Sequence, residues 1–257
     1  MRFRLYPLRF SFRAREPLSL SANLLRGALG MLLGGVEYER VFAPVGPDLH
    51  SAPSGLADRP RPFVIRAAEL EVAGGQAFHV DLPYFDVRHP QIGAIARAFA
   101  QWRRAELTGV SGDSILTLPL DPPAEKIERV TVRFLTPTEL KVEGGLAARP
   151  EFEILASRLR DRISTLRALY DEGPLELDFR AFAARAARVR MTRCELQHVE
   201  TQRRSSRTGQ THSLGGFTGE ADYQGDMGEF VPFLEVAHWT GVGRQTVWGK
   251  GALALHR

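Results

Sequence analysis

Four glycines, Gly241, Gly243, Gly249 and Gly251, crowd into the stretch TGVGRQTVWGKGALAL (240–255), with Arg244 and Lys250 between them. Glycine-rich loops that open onto cations cradle phosphates, through uncovered main-chain amides and through the charge itself. A dinucleotide site needs a strand, the glycine loop and then a helix, so that the phosphate meets a positive helix N-terminus. Here the predicted order is reversed: a helix over VPFLEVAHW, the loop, then a strand over QTVWGKGALAL. Lys250 is followed by Gly251, so the chain has no Walker-type GK[ST] here. An anion at this loop is expected to rest on loop amides, Arg244 and Lys250, without help from the helix dipole. Gly241 sits where a C-capping glycine belongs. The arrangement disfavours a mononucleotide and leaves a nucleic acid as the expected ligand.

Histidine exchanges protons near neutral pH, and the chain has seven. His50 lies in a Pro- and Gly-rich stretch (43–61), and His79 alternates with Phe78 and Val80 on a predicted strand. His198 and His212 flank a predicted hairpin tip, are expected to face each other across strands and stand in reserve to His50 as proton-transfer candidates, while His238 shares a helix with Phe230, Leu234 and Trp239. His89 precedes Pro90, and His256 is nearly terminal. None shows HExxH or HxH spacing, and Cys194 is the single cysteine, so no metal site is expected. GVSGD (109–113) misses the G-x-S-x-G elbow, which removes a serine-hydrolase reading. The hairpin tip QRRSSRTGQ (202–210) gathers Arg203, Arg204 and Arg207, with no acidic residue between 201 and 219. RAARVRMTR, upstream, adds Arg185, Arg188, Arg190 and Arg193. Phosphate contact is expected at the tip.

The elements that must position these groups follow from periodicity. RFRLYPLRFSF (2–12) alternates as a strand, and LSLSANLLRGALGMLLGG carries Leu24, Leu25, Ala28, Leu29 and Leu32 at helical spacing, with a stop at Gly34–Gly35. PFVIRAAELEV and AFHVDLPYFDV read as two strands around Gly74–Gly75, QIGAIARAFAQW as a helix and SILTLPL as a strand. After LDPPAEK the pattern restarts with the strand IERVTVRFL and the helix PEFEILASRLRDRISTLRALY. A hairpin over RCELQHVETQ and THSLGGFTGEADYQG, the VPFLEVAHW helix and a last strand complete it. The order β-α-β-β-α-β thus occurs twice, the signature of a split βαβ unit. We expect an α+β chain of two ferredoxin-like (RRM-like) domains, over 1–122 and 123–257.

Composition fits a globular protein with a modest positive excess: 34 Lys and Arg against 30 Asp and Glu. Nearly all of that positive charge is arginine, since Lys126, Lys141 and Lys250 are the only lysines. The planar guanidinium suits phosphates and base edges. The N-terminal stretch lacks the apolar core of a signal peptide and no segment approaches ~20 uninterrupted apolar residues, so a cytoplasmic location away from membranes is expected.

Residues 214–255 resemble the C-terminal signature of the CRISPR-associated endoribonucleases of the RAMP superfamily, the sixth-numbered Cas family. The resemblance rests on Phe217 and Gly219 (a Phe-x-Gly strand), on Pro232 to Leu234 and on the closing Gly-Val-Gly…Gly-Lys-Gly loop. LLRGALG (24–30) and RPFVIR (61–66) add weaker likenesses. The resemblance implies recognition of CRISPR repeat RNA and cleavage of precursor crRNA without a metal or other cofactor. A ribose 2′-hydroxyl attacks the adjacent phosphorus and leaves 2′,3′-cyclic phosphate and 5′-hydroxyl ends. It places the catalytic histidine after the first helix, where His50 fits, with Tyr38 as a second polar group and Arg26 as a cation. RNA contacts are expected from Arg203, Arg204, Arg207, Gly241, Gly243, Arg244, Gly249, Lys250 and Gly251. Other Cas proteins are expected partners of a monomer or homodimer. The alternative is a non-catalytic RNA-binding subunit of an effector complex. An unrelated RNA-recognition module is disfavoured, because no strand is rich in aromatics as an RNP1 strand is.

Overall fold

The computed structural model describes residues 1–44, 59–67, 69–200, 202–204, 211–213 and 215–257, with side chains for all of these except 202–204 and 211–213. His50 and Arg207 therefore lie outside the described residues, and Arg203 and Arg204 are described as backbone only.

The first half runs β1 (Arg2–Ala14), β2 (Leu18–Leu20), α1 (Ala22–Leu32), α2 (Gly35–Phe42), β3 (Leu70–Val72), β4 (Ala77–Tyr84), α3 (Ile92–Ala100), β5 (Ala105–Ser111) and β6 (Leu116–Pro119). The second half runs β7 (Arg129–Thr138), β8 (Lys141–Val142), β9 (Gly145–Leu146), α4 (Phe152–Tyr170), α5 (Phe179–Ala186), β10 (Arg190–Val199), β11 (Gln202–Arg204), β12 (Thr211–Ser213), β13 (Gly216–Gln224), α6 (Val231–Thr240) and β14 (Leu253–His256).

The C-terminal sheet has the order β10-β13-β7-β14, antiparallel throughout. This is the ferredoxin-like arrangement, with β7 and β13 central. Alternation decides which face is buried: Val130, Val132 and Phe134 of β7 join Phe217, Ala221 and Tyr223 of β13 in a core closed by α4 and α6. The N-terminal sheet has the order β4-β1-β5. Its fourth position, beside β4, is held by residues 63–66 through only two isolated bridges, Phe63 to Tyr84 and Arg66 to Asp81. The arrangement is the same, with one edge strand worn down.

Several sequence expectations change here for identifiable reasons. PFVIRAAELEV is not one strand: Pro62 and Pro83 cannot donate to a ladder, and after the bridges the chain leaves β4, so that β3 pairs instead with β2. SILTLPL does not supply the fourth strand of the first sheet. That place belongs to β5, and β6 pairs with the opening residues of β1, Arg2 to Leu5. Helix α2 follows the expected stop almost at once, and α5 was hidden in an arginine-rich run. Asp178 starts α5 by accepting from the amides of Arg180 and Ala181 at 2.9 and 3.0 Å. The expected last strand is divided into a 3-10 turn, Thr246–Trp248, and β14. His198 and His212 do not face one another: His198 is opposite Phe217, and His212 is opposite Arg203.

The two halves share β1. Its inner residues Phe10 and Phe12 pack edge-on against Phe99 of α3, at 5.1 and 5.5 Å between ring centroids. Its first residues, Phe3 and Leu5, are buried with the C-terminal core instead, alongside Val64 and Phe85. Each such side chain contributes ~1.5–3 kcal/mol of apolar burial. Polar contacts reinforce the seam: the Tyr170 hydroxyl donates to the Pro60 carbonyl at 2.6 Å, and Arg167 donates to the Arg2 carbonyl. Among the described residues no helix is long and apolar enough to cross a membrane.

Candidate active site and RNA interface

The glycine-rich segment begins at the end of α6. Gly241 closes that helix at φ 66°, its amide donating to the Ala237 carbonyl at 2.8 Å. The segment then lies against the strand-end residues 137–139. The Arg244 amide donates to the Glu139 carbonyl at 3.2 Å, the Gly251 amide to Pro137 at 3.1 Å, and the Val242 amide to the Gly251 carbonyl at 2.9 Å. Close approach requires glycine at several of these positions. A Cβ on Gly251 (φ 70°) would lie 1.9 Å from the Val242 carbonyl oxygen, and one on Gly249 (φ 87°) would lie 2.7 Å from Ala22 Cβ of α1. The loop therefore does two things at once: it knots onto its own domain, and it rests its far end on the first helix of the other half.

Its two cations have different surroundings. The Lys250 side chain is 4% exposed, with Nζ 2.8 Å from Glu139 Oε2. It also lies 3.1 Å from Gln245 Oε1. Burial pulls its ammonium below the ordinary value, against the opposing hydrogen bond and charge of Glu139. Lys250 is thus an internal strut, and it holds Gln245, whose φ of 59° is the single left-handed non-glycine backbone among the described residues. Arg244 points outward: its side chain is 54% exposed and only 3.9 Å at closest from Glu139. The amides of Gly241, Gly249 and Gly251 donate within the protein, while Gly243 lies so close to the Glu139 carbonyl that a Cβ would sit 2.2 Å away.

Where the loop meets α1, three parts of the chain converge. The Arg26 guanidinium carbon sits 5.2 Å from the Trp248 ring centroid and 5.5 Å from that of Phe42 in α2. Tyr38 stacks on Phe42, 5.3 Å between centroids and 10° between planes. The structure therefore brings Arg26, Tyr38 and the glycine-rich loop together, although the loop lies more than 200 residues from the other two in sequence.

A second group of cations was missed in the sequence. Arg162 of α4 donates from Nε to the Thr240 carbonyl at 2.9 Å, one residue before Gly241. Burial pushes its guanidinium down to about 10, helped by the charge of Arg66. Arg66 is likewise pushed down to about 10 by burial, with Asp81 pulling the other way. The Nε atoms of Arg61 and Arg66 are buried and donate no hydrogen bond among the described residues. Cations gathered at a junction with so little compensation favour an anion there. The signal lay in RPFVIR, whose two arginines flank the worn edge strand. What brings Arg162 alongside is visible only in three dimensions.

The open face of the C-terminal sheet has the opposite character. Arg193 is 3.0 Å from Glu220, 2.8 Å from Asp222 and 3.2 Å from Glu195. Arg185 of α5 is held by Glu229 at 2.6 Å, while Arg188 and Arg190 are exposed. β11 and β12 extend the β10–β13 hairpin and carry Arg203 and Arg204. His79 and His198 are exposed on their strands, and His238 is exposed on α6 beside Trp239. Among the described residues no group of three or more His, Cys, Asp or Glu side chains could hold a metal ion.

Comparison with known proteins gives one family-model match and several structural likenesses. Residues 132–253 match the family model of the CRISPR-associated endoribonuclease Cas6. No curated protein sequence matches the chain. Among solved structures, a Thermus thermophilus Cas6 is 18% identical with a TM-score of 0.62, covering 100% of this chain and 99% of that one. A Cas6 product complex is 18% identical with a TM-score of 0.63, covering 99% and 100%. A partial Cas6-RT-Cas1–Cas2 complex is 11% identical with a TM-score of 0.62, covering 98% of this chain and 46% of the other. At these identities the structural likenesses speak for the fold, two ferredoxin-like units in tandem. The match to the Cas6 family model is confined to residues 132–253, which hold most of the C-terminal unit.

Proposed function

We propose that the protein is an endoribonuclease of crRNA processing that binds CRISPR repeat RNA and cuts it without a metal. The observation that carries this reading is the convergence of Arg26, Tyr38 and the glycine-rich loop at a cationic junction, in a chain whose residues 132–253 match the Cas6 family model. The ribose 2′-hydroxyl gives its proton to His50 and its oxygen attacks the neighbouring phosphorus. The bond from phosphorus to the 5′ oxygen breaks, and that oxygen takes a proton from Tyr38. Arg26 faces the extra negative charge that the phosphorane-like transition state spreads over its oxygens. The products are a 2′,3′-cyclic phosphate and a 5′-hydroxyl.

Binding is divided among several surfaces. Arg203, Arg204 and Arg207 at the hairpin tip contact phosphates of the repeat. Arg244, with Arg66 and Arg162 behind it, draws the strand to the junction. Gly241, Gly243, Gly249 and Gly251 shape the loop that meets the RNA, and Lys250 acts through the loop it braces. Other Cas proteins are the expected protein partners, in the cytoplasm.

The test is labelled repeat RNA incubated with the protein in EDTA. Cleavage once per repeat with a cyclic-phosphate end supports the reading. Tight binding with no cleavage overturns it in favour of a non-catalytic RNA-binding subunit.

A further inference from the structure

The Arg26 guanidinium lies over two aromatic rings, one from each end of the chain. Phe42 lies 5.5 Å from its guanidinium carbon and is itself fixed, stacked on Tyr38 and edge-on to Phe63 at 5.3 Å and 67°. Trp248, in the 3-10 turn of the glycine-rich loop, lies 5.2 Å away. That turn is closed by the Trp248 amide donating to Gln245 at 2.9 Å and the Gly249 amide donating to Thr246 at 3.1 Å. Its seat on α1 is set by Gly249, where a methyl group would collide with Ala22.

We propose that Trp248 is a positioning residue: with Phe42 it clamps the Arg26 guanidinium in the orientation that meets the scissile phosphate. The proposal rests on the catalytic reading above. An unrestrained arginine samples many rotamers and must be ordered at the moment of reaction. Contact with ring faces engages the flat sides of the guanidinium and directs its in-plane N–H donors sideways, the geometry that phosphate oxygens accept. Preorganised charge of this kind acts on the transition state without reorganisation. Trp248 reaches Arg26 only while the loop is seated on α1, so loop docking and catalytic electrostatics are one event.

The experiment compares Trp248→Leu, Trp248→Phe and Arg26→Ala in single-turnover cleavage and equilibrium binding of labelled repeat RNA. Trp248→Leu is expected to slow the saturated rate about tenfold, the worth of a partly desolvated cation–ring contact, with affinity within about twofold. Trp248→Phe restores most of the rate, and Trp248→Leu adds no further loss in the Arg26→Ala background. A wild-type rate for Trp248→Leu, or losses that add in the double variant, overturns the clamp. Arg26→Ala cleaving normally overturns the catalytic reading itself, which separates the two failures. If Trp248→Leu does not fold, Arg26→Ala keeps the clamp testable: added guanidinium ion should recover part of its lost rate and methylammonium should not, and equal effects of the two ions overturn it.

Discussion

Two arginine-rich regions of this molecule look alike in composition and differ in what they can do. On the open face of the C-terminal sheet, Arg193 is surrounded by Glu195, Glu220 and Asp222, and Arg133 leans towards Glu220. At the junction between the halves, Arg66 and Arg162 repel each other, and the Nε of Arg61 and of Arg66 donates to nothing among the described residues. The first set is already neutralised by its own sheet and gains little from a polyanion. The second has been desolvated by folding with little compensation, so a phosphate relieves a cost already incurred. Where arginines sit relative to carboxylates, rather than how many there are, decides which surface reads as a nucleic-acid site.

The sharpest way to break this contrast is at Arg26. Arg26→Ala should lower single-turnover cleavage by ~10²–10³-fold, the usual loss for one preorganised group at a developing charge, while affinity changes far less. An equal fall in rate and affinity would assign Arg26 to binding. Next in size is Gly251→Ala, which places a methyl group 1.9 Å from the Val242 carbonyl at a backbone φ of 70°. Strain and collision together should cost on the order of 3 kcal/mol, a fall in Tm of about 10 °C by thermal melting. An unchanged Tm would mean that the loop is not knotted as described.

Smaller effects separate the two arginine sets directly. Arg66→Gln and Arg162→Gln should each weaken RNA binding and reduce the slope of log affinity against log salt by about 0.7–0.9. Arg193→Gln should leave that slope within error, because its charge is spent on three carboxylates; a matching loss at Arg193 would erase the distinction drawn here. Replacing Arg203, Arg204 and Arg207 together with alanine should flatten the slope by about 2–3, and an unchanged slope would remove the hairpin tip from the interface.

Much of this was legible in the residues. The alternation of β7, the amphipathic stripe of α4 and the capping glycine after α6 are local signals, and local signals survive being read one segment at a time. The worn edge strand was not legible, because Pro62 comes opposite Phe85, and Pro83 opposite Val64, only after the sheet forms. Nor was β5, whose AELTGVS alternates too weakly to stand out from the loop around it. Lys250 shows the limit best. Among glycines it reads as a phosphate ligand, yet Glu139, 111 residues away, takes it into the interior.

The sequence by itself determined the order of strands and helices, the doubling of one unit and the family signature near its C-terminal end, since periodicity and turn chemistry act between neighbours. Only the tertiary structure decided that Trp248 and Phe42 both lie against Arg26, that Lys250 turns inward and that Arg162 feels the charge of Arg66. Those outcomes depend on contacts between residues far apart in the chain, and burial, which sets the value of every charge, exists only once the chain has folded.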